Sequence, residues 1–410
     1  MKPPPSSGFS VDDLLNQSPA APPKPAVSSA IGSFIKATRG ATAPATTSAT
    51  GRGARDVIEA EVFATASDVL REATVADLES SWRALKLVAD FCPAGSGMSV
   101  DVLDTTPDGT IAAVTAELTA VEQDEQPDAI FVFHPTDDIA RLTEYANLGA
   151  DYEIPVVAGV THEFFRVPDP HHVAARTDQE DGGLPKEWVA LRNDEASRWL
   201  SVALNRVVLR TEGTGAVKRV VLGTPVSVVA AMLASSYHKT GAFAQILGEG
   251  AGFQSPGSWE LPTGRDAGML IPTEAYFSAS TQAALAHLGF IALGSRRNTA
   301  LVALKSAPTV RRGDDLVPLS AQVLTGRIVR FARWVLAQIP PKSPEPEVKS
   351  LFEQAATVFL FPAANESAKL EAQVVTSKDE KSRSVVLQVS ANQNLAGIPF
   401  HLGFSLPLKD

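Results

Sequence analysis

The sequence predicts an α/β protein: a helix-covered mixed sheet core, then a C-terminal α+β domain ending in β-strands, preceded by a disordered N-terminal tail. Three observations predict it. "AIFVF", "DDIARLTEYANLG" and "IPVVAGV" follow one another within about 30 residues. A strand, helix and strand at that spacing favour a parallel pair with the helix covering one face. Near the end, "KLEAQVVTS" and "RSVVLQVSA" flank the polar "KDEKS" like the arms of a β-hairpin, and "GFSLPL" follows. The first 55 residues, by contrast, are dominated by Pro, Ala, Ser, Thr and Gly, as in "QSPAAPPKPAVSS" and "ATAPATTSATGRG". Such a composition buries too little apolar surface to offset the entropy of ordering.

Taken in order, residues 1–55 are expected to be tail, interrupted by two apolar islands, "FSVDDLLNQ" and "SSAIGSFIKATRG". In the second, a serine cap precedes Ile31, Phe34 and Ile35 on one face, with Lys36 and Arg39 suited to the C-terminal end of the dipole. A short amphipathic helix at 29–39 is therefore expected, either as a docking peptide on a flexible arm or packed on its own domain. A long helical pattern covers 56–90, carried by Val57, Ile58, Val62, Val69, Leu70, Leu78, Trp82, Leu85 and Val88, with a break near Thr74. "SVDVL" is expected to open the strands and "WLSVALNRVVLR" to supply another. "GTPVSVVAAMLASSYHKTG" reads as a buried helix capped by Thr224, with Pro225 in its first turn and Gly241 ending it. In "TEAYFSASTQAALAHLGFIALGSRRNTALVAL", Ser280 caps a helix through Gln282, Leu285 and Leu288. Gly289 stops it in a left-handed turn, and 290–293 and 300–304 follow as short strands. Beyond residue 313 comes a helix over 318–339, the proline-rich break "PPKSPEPEV", and then the hairpin. The expected domains are thus 56–313 and 314–410.

Composition narrows the function. The profile, 44% hydrophobic and 20% charged, is that of a soluble globular chain with room for a large core. A net charge of −10 disfavours a phosphate-neutralising surface, so no nucleic-acid partner is expected. Cys92 stands alone, which excludes an intramolecular disulfide and a cysteine zinc site and suits a reducing compartment. No uninterrupted apolar run approaches the roughly 20 residues of a membrane helix, and "MKPPPSSGF" has neither the charged start nor the apolar centre of a secretory signal. A cytoplasmic protein with no membrane insertion is expected.

Two stretches invite chemistry. His134 ends "AIFVF" and His162 ends "IPVVAGV"; on parallel neighbours both lie at carboxyl ends, where α/β folds place their sites. "HPTDD", "THEFF" and "DPHH" could offer imidazole and carboxylate to a divalent metal, yet none has a tight ligand spacing. "GEGAGFQSPG" is glycine-rich but lacks a Walker lysine and a clean GxGxxG, and reads as a surface loop.

The stretches without chemistry carry a resemblance. "LESSWRALKLV", "WLSVALNRVVLR", "GTPVSVVAAMLASSYHKTGAFAQILG", "PTEAYFSASTQAALAHLGFIALGSRRNTALVAL" and "LSAQVLTGRIVRFARWV" occur in the order of similar segments in the large subunit of the type VI secretion contractile sheath, the TssC or VipB family. The family's Trp-Gly-Asn is here Leu222-Gly223-Thr224, and its Cys-Lys-Gly-Thr region is Ser295 to Thr299.

The resemblance implies a non-enzymatic building block without cofactor. It would pair with a small sheath subunit of TssB/VipA type and assemble as a helical tube around an inner tube of Hcp type, attached to a baseplate, and its contraction would drive effector delivery. It also implies strand exchange between protomers, for which Val385, Val386, Leu387 and Val389 are the expected inter-subunit strand. A ClpV-type AAA+ unfoldase would read the N-terminal helix through Ile31, Phe34, Ile35, Thr38 and Arg39. On the helix beginning near Leu319, Arg327, Arg330 and Arg333 form a candidate partner-facing basic stripe, while Val323, Leu324, Ile328, Phe331 and Val335 face the core. The alternatives are a divergent sheath paralogue with an accessory role, and a metal-dependent enzyme using His134 and His162.

Overall fold

Two helices open the described chain: α1 (Ala49–Arg71) and α2 (Ala73–Asp90). The computed structural model describes residues 49–213, 218–262, 267–313, 317–361, 368–376 and 383–408. The helical pattern therefore begins at Ala49, inside the stretch expected as tail, and breaks at Glu72, whose carboxylate accepts from the Val75 amide and caps α2. The apolar residues of the pattern do not all face a core. Val57, Ile58, Val62, Val69, Leu78 and Trp82 are exposed, whereas Ala84, Leu87 and Val88 are buried.

After α3 (Thr110–Ala120), the core sheet is built from β1 (Ile130–Pro135), α4 (Ile139–Tyr152), β2 (Val156–Gly159), α5 (Lys186–Asn193) and β3 (Leu200–Leu204). A fourth parallel strand arrives later. Asp138 caps α4 through the Ala140 amide, and Pro155 precedes β2, so helix and strand are set by local signals. "SVDVL" joins no sheet. Its composition is strand-like, but in this chain it is offered no edge to bond.

"WLSVALNRVVLR" makes two strands, β3 and β4 (Val207–Glu212), because Asn205 turns the backbone to φ 78 between them. The Asn205 amide nitrogen donates to the carbonyls of Ala275 and Leu293, and its side-chain oxygen accepts from the Ala275 amide. β4 pairs antiparallel with β5 (Arg219–Gly223). Next, α6 (Pro225–Thr240) is buried almost all round and ends at Gly241 with φ 70, as its sequence predicts. Thr224 precedes it but caps nothing, and its hydroxyl is buried without a partner.

Helix α7 (Ala279–His287) is capped by Ser278 rather than Ser280. Gly289, at φ 94, turns the chain into β6 (Phe290–Ala292), the fourth strand of the parallel sheet. The expected companion, Leu301–Ala303, pairs instead with Gly294–Ser295 and with Phe253–Gln254 of the glycine-rich stretch, in a separate small sheet. That stretch is therefore structural: a Cβ on Gly252 would stand 2.6 Å from Leu301, and buried Ser255 donates to the Val208 carbonyl.

The parallel sheet, ordered β1-β2-β3-β6, has cores on both faces. One holds Val156, Val202, Phe290, Leu142, Tyr145 and Trp188; the other holds Val157, Ala203, Ile291 and the inner face of α6 with Ala84 and Leu87. Trp188 stacks on Phe290 with centroids 4.8 Å apart. Successive strand residues feed opposite faces, so the strands read as continuous apolar runs.

The chain ends with α8 (Leu319–Gln338), α9 (Glu345–Ala355), β7 (Ala368–Thr376), β8 (Arg383–Ala391) and β9 (Phe400–Pro407). The proline-rich break is in part the start of α9: Pro344 precedes it as N-cap and Pro346 stands in its first turn, where a missing N–H costs nothing.

Candidate functional site

The three C-terminal strands form an antiparallel sheet in the order β7-β8-β9. Alternation puts Leu370, Ala372 and Val374 of β7, Val385, Leu387 and Val389 of β8, and Phe400 of β9 into one core with Ile328, Val335, Val348 and Phe352. The opposite face is polar and exposed at Lys369, Glu371, Gln373, Gln388, His401 and Ser405.

The expected inter-subunit strand, Val385, Val386, Leu387 and Val389, is therefore the middle one. β8 pairs with β7 from Ser384 to Ala391 and with β9 over the same residues. Its main-chain groups are used on both sides, so it has no edge to exchange. The hairpin pattern places this strand correctly but cannot show that "GFSLPL" closes its second side. The open edges belong to β7 and β9.

The two edges differ. On β7, Lys369 pairs with Glu371 on the solvent face, a charged pattern of the kind that discourages edge pairing. Among the described residues β9 carries no Asp, Glu, Lys or Arg, and its inward Leu402, Phe404 and Leu406 are only half-buried because nothing flanks them.

The arginine stripe is turned inward. Arg330 is 5% exposed; it donates to the Glu153 main-chain carbonyl at 2.9 Å and to Asp128 at 3.0 Å. Arg333 reaches the Glu153 carboxylate at 2.7 Å, and Arg327 lies 3.4 Å from Asp128 and over the rings of Tyr237 and Phe243. Burial lowers the pKa of Arg330, opposed by Asp128, while burial raises that of Glu153 against the pull of Arg333 and Arg330. A helical wheel shows the stripe but not Asp128 and Glu153, which are about 200 residues away in sequence. Arg330 and Arg333 tie α8 to Glu153 at the end of α4, and Arg327 and Arg330 tie it to Asp128 just before β1.

A second ionic cluster had no signal in the sequence. Arg219, almost fully buried, donates to both Glu79 on α2 and Glu212 on β4, and Arg83 and Arg210 flank them. The hydrogen bonds from Arg219 hold both carboxylates below their ordinary pKa.

His134 and His162 do sit at the ends of adjacent parallel strands, but they gather no ligand set. His134 is exposed at the end of β1, and His162 opens a 3-10 turn after β2. Among the described residues, no three His, Cys, Asp or Glu side chains are placed to hold a metal ion. An open cleft of about 860 Å³ nearby is lined by Asp137, Glu163, Glu187 and Asp194 with Arg166, and by neither histidine. Asp137 is spent within the protein on the Thr161 amide and hydroxyl. The expected docking residues Ile31, Phe34, Ile35, Thr38 and Arg39 lie outside the described residues.

Residues 127–311, from β1 past the end of the parallel sheet, match the VipB family, described as EvpB/VC_A0108, tail sheath N-terminal domain. No curated protein sequence matches the chain. A chain of the anti-feeding prophage baseplate is similar at 15% identity and TM-score 0.41, over 80% of this chain and 76% of that one. A chain of the contracted anti-feeding prophage helical sheath is similar at 13% identity and TM-score 0.40, over 80% and 78%. A sheath tail protein from Listeria innocua follows at 12% identity and TM-score 0.38, over 75% of this chain and 61% of that one.

Proposed function

We propose, from the match of residues 127–311 to the tail sheath N-terminal domain of the VipB family, that the chain is the large subunit of a type VI secretion contractile sheath. The family match is the observation that carries this reading. In the proposed assembly the chain pairs with a small sheath subunit and stacks into a helical tube around an inner tube. The tube rests on a baseplate and works in the cytoplasm.

The C-terminal sheet supports this reading. Its two edges have no partner among the described residues, and a sheet edge takes up a strand from another chain through main-chain hydrogen bonds. The ties from α8 to Asp128 and Glu153 support it too: a force borne by exchanged strands would pass into the α/β core without the helix sliding. Contraction is then a rearrangement between protomers that needs no chemistry in the subunit itself. No described residue runs in a helix long and apolar enough to cross a membrane.

Co-expression with a small sheath subunit of the TssB/VipA type, followed by electron microscopy, tests the proposal. Tubes or cogwheel-like rings are expected. A monodisperse monomer that ignores its partner would refute it.

A further inference from the structure

α8 belongs to two cores. Leu319 and Val323 in its first turns pack with the parallel sheet, while Ala321, Leu324, Ile328, Ala332 and Val335 pack with the C-terminal sheet. The helix is therefore the joint between them, and among the described residues its ion pairs fall only on Asp128 and Glu153. Glu153 follows the last turn of α4 at φ 57, with its main-chain carbonyl held by Arg330 and set against Gly326.

The two carboxylate oxygens of Glu153 are treated differently. The side chain is 18% exposed; Oε1 accepts from Arg333 at 2.7 Å, whereas Oε2 is buried and has no hydrogen-bond partner among the described residues. A bare oxygen on a buried carboxylate costs the ionised form the hydration it has in water. Nearby charge does not make up the loss. Arg330 donates to the Glu153 main chain and to Asp128, and Arg327 lies beside Asp128, which leaves only Arg333, itself 40% exposed, on the carboxylate. Tyr152, the preceding residue, is hydrogen-bonded to the Thr119 hydroxyl and offers Glu153 no donor. The neutral acid avoids the penalty, since a proton on Oε2 removes the charge while Oε1 still accepts from Arg333. Burial, outweighing the pull of Arg333 and Arg330, accordingly sets the pKa of Glu153 above its ordinary 4.5.

We propose that Glu153 is a proton-sensitive latch in the joint between the two cores: taking up a proton fastens α8 to the end of α4, and releasing it loosens the helix. The folded chain binds this proton more tightly than the unfolded chain. Its stabilising contribution is thus present below about pH 4.5 and is lost as pH rises through the folded value. That is opposite in sign to Glu79 and Glu212, whose contribution is lost on acidification. The latch lies within a single chain and does not depend on the sheath reading.

Glu153→Gln in the full chain, which keeps an oxygen for Arg333 and removes the charge, tests the proposal. The variant should melt a few degrees above the natural protein at pH 8, and the gap should close as pH falls below 4.5. Glu79 and Glu212 titrate in both proteins and cancel in the difference. A gap of opposite sign at pH 8, or one that does not change with pH, would overturn the latch. Two further measurements hold even if that variant fails to fold. Amide hydrogen exchange of the natural protein, corrected for the intrinsic effect of pH, should show α8 better protected at pH 5 than at pH 8 when referred to the amides of β3; equal protection would count against the assignment. With carbon-13 at the glutamate carboxyl carbons, one resonance should titrate above 4.5 and move higher still in Arg333→Met, where the carboxylate loses its cation. If every glutamate titrates at or below 4.5, Glu153 is not the latch.

Discussion

The main-chain carbonyl oxygen of Glu153 lies 2.3 Å from where a Cβ on Gly326 would stand. α8 can approach the end of α4 this closely only because position 326 has no side chain. One turn along α8, Arg330 bonds the same carbonyl. In a free helix Gly326→Ala would stabilise by about 1 kcal/mol. Here the collision with backbone dominates, and a net destabilisation of about 1–3 kcal/mol is expected. Chemical denaturation should show a lower midpoint at unchanged slope; a raised midpoint would show that the close approach is absent.

Arg330 should behave as a buried cation. Arg330→Met removes the buried donor to the Glu153 carbonyl and one of the two arginines beside the partly exposed Asp128, with an expected cost of about 1–3 kcal/mol. Arg333→Met, at a side chain 40% exposed, should cost under about 1 kcal/mol. Equal losses from the two variants would contradict the inward orientation of the stripe.

Asn205 fastens two segments to the end of the core sheet through three hydrogen bonds from its side chain to main-chain groups. Asn205→Ala leaves buried amide and carbonyl groups unpaired at a backbone angle alanine resists, and about 2–4 kcal/mol should be lost. Asn205→Gly relieves the angle but not the bonds, so it should recover only part of the loss. Full recovery in glycine would mean that the hydrogen bonds contribute little.

The Arg219 cluster predicts a pH dependence. Glu79 and Glu212 titrate below their ordinary value of 4.5 in the folded protein, so the unfolded chain binds more protons on the acid side. Their contribution is present above about pH 4.5 and is lost as pH falls through the folded values. Melting temperature followed from pH 6 to pH 3 should drop more steeply for the natural protein than for Glu79→Gln/Glu212→Gln. Parallel curves would remove the cluster from the acid response.

If the segment 29–39 is the unfoldase signal, deleting residues 1–40 should leave melting and partner binding intact. It should abolish unfoldase-driven disassembly of contracted tubes, and Phe34→Asp should do nearly the same. Unchanged disassembly, followed by light scattering, would return Ile31, Phe34 and Ile35 to other roles.

What the sequence by itself determined is whatever is coded within a few residues. The parallel β1-α4-β2 unit, the burial of α6, the glycine stops at Gly241 and Gly289 and the C-terminal hairpin are all of this kind. Propensity, periodicity and caps act at short range, and these elements obey them. The tertiary structure alone decided which strand is central and which is edge, since β8 becomes the middle strand only when β9 returns beside it. It alone decided that the arginines of α8 face inward, because their acidic partners arrive from a distant part of the chain. "SVDVL" shows the same limit from the other side. A strand-forming sequence becomes a strand only where a neighbour supplies the other half of its hydrogen bonds, and within one copy no neighbour does.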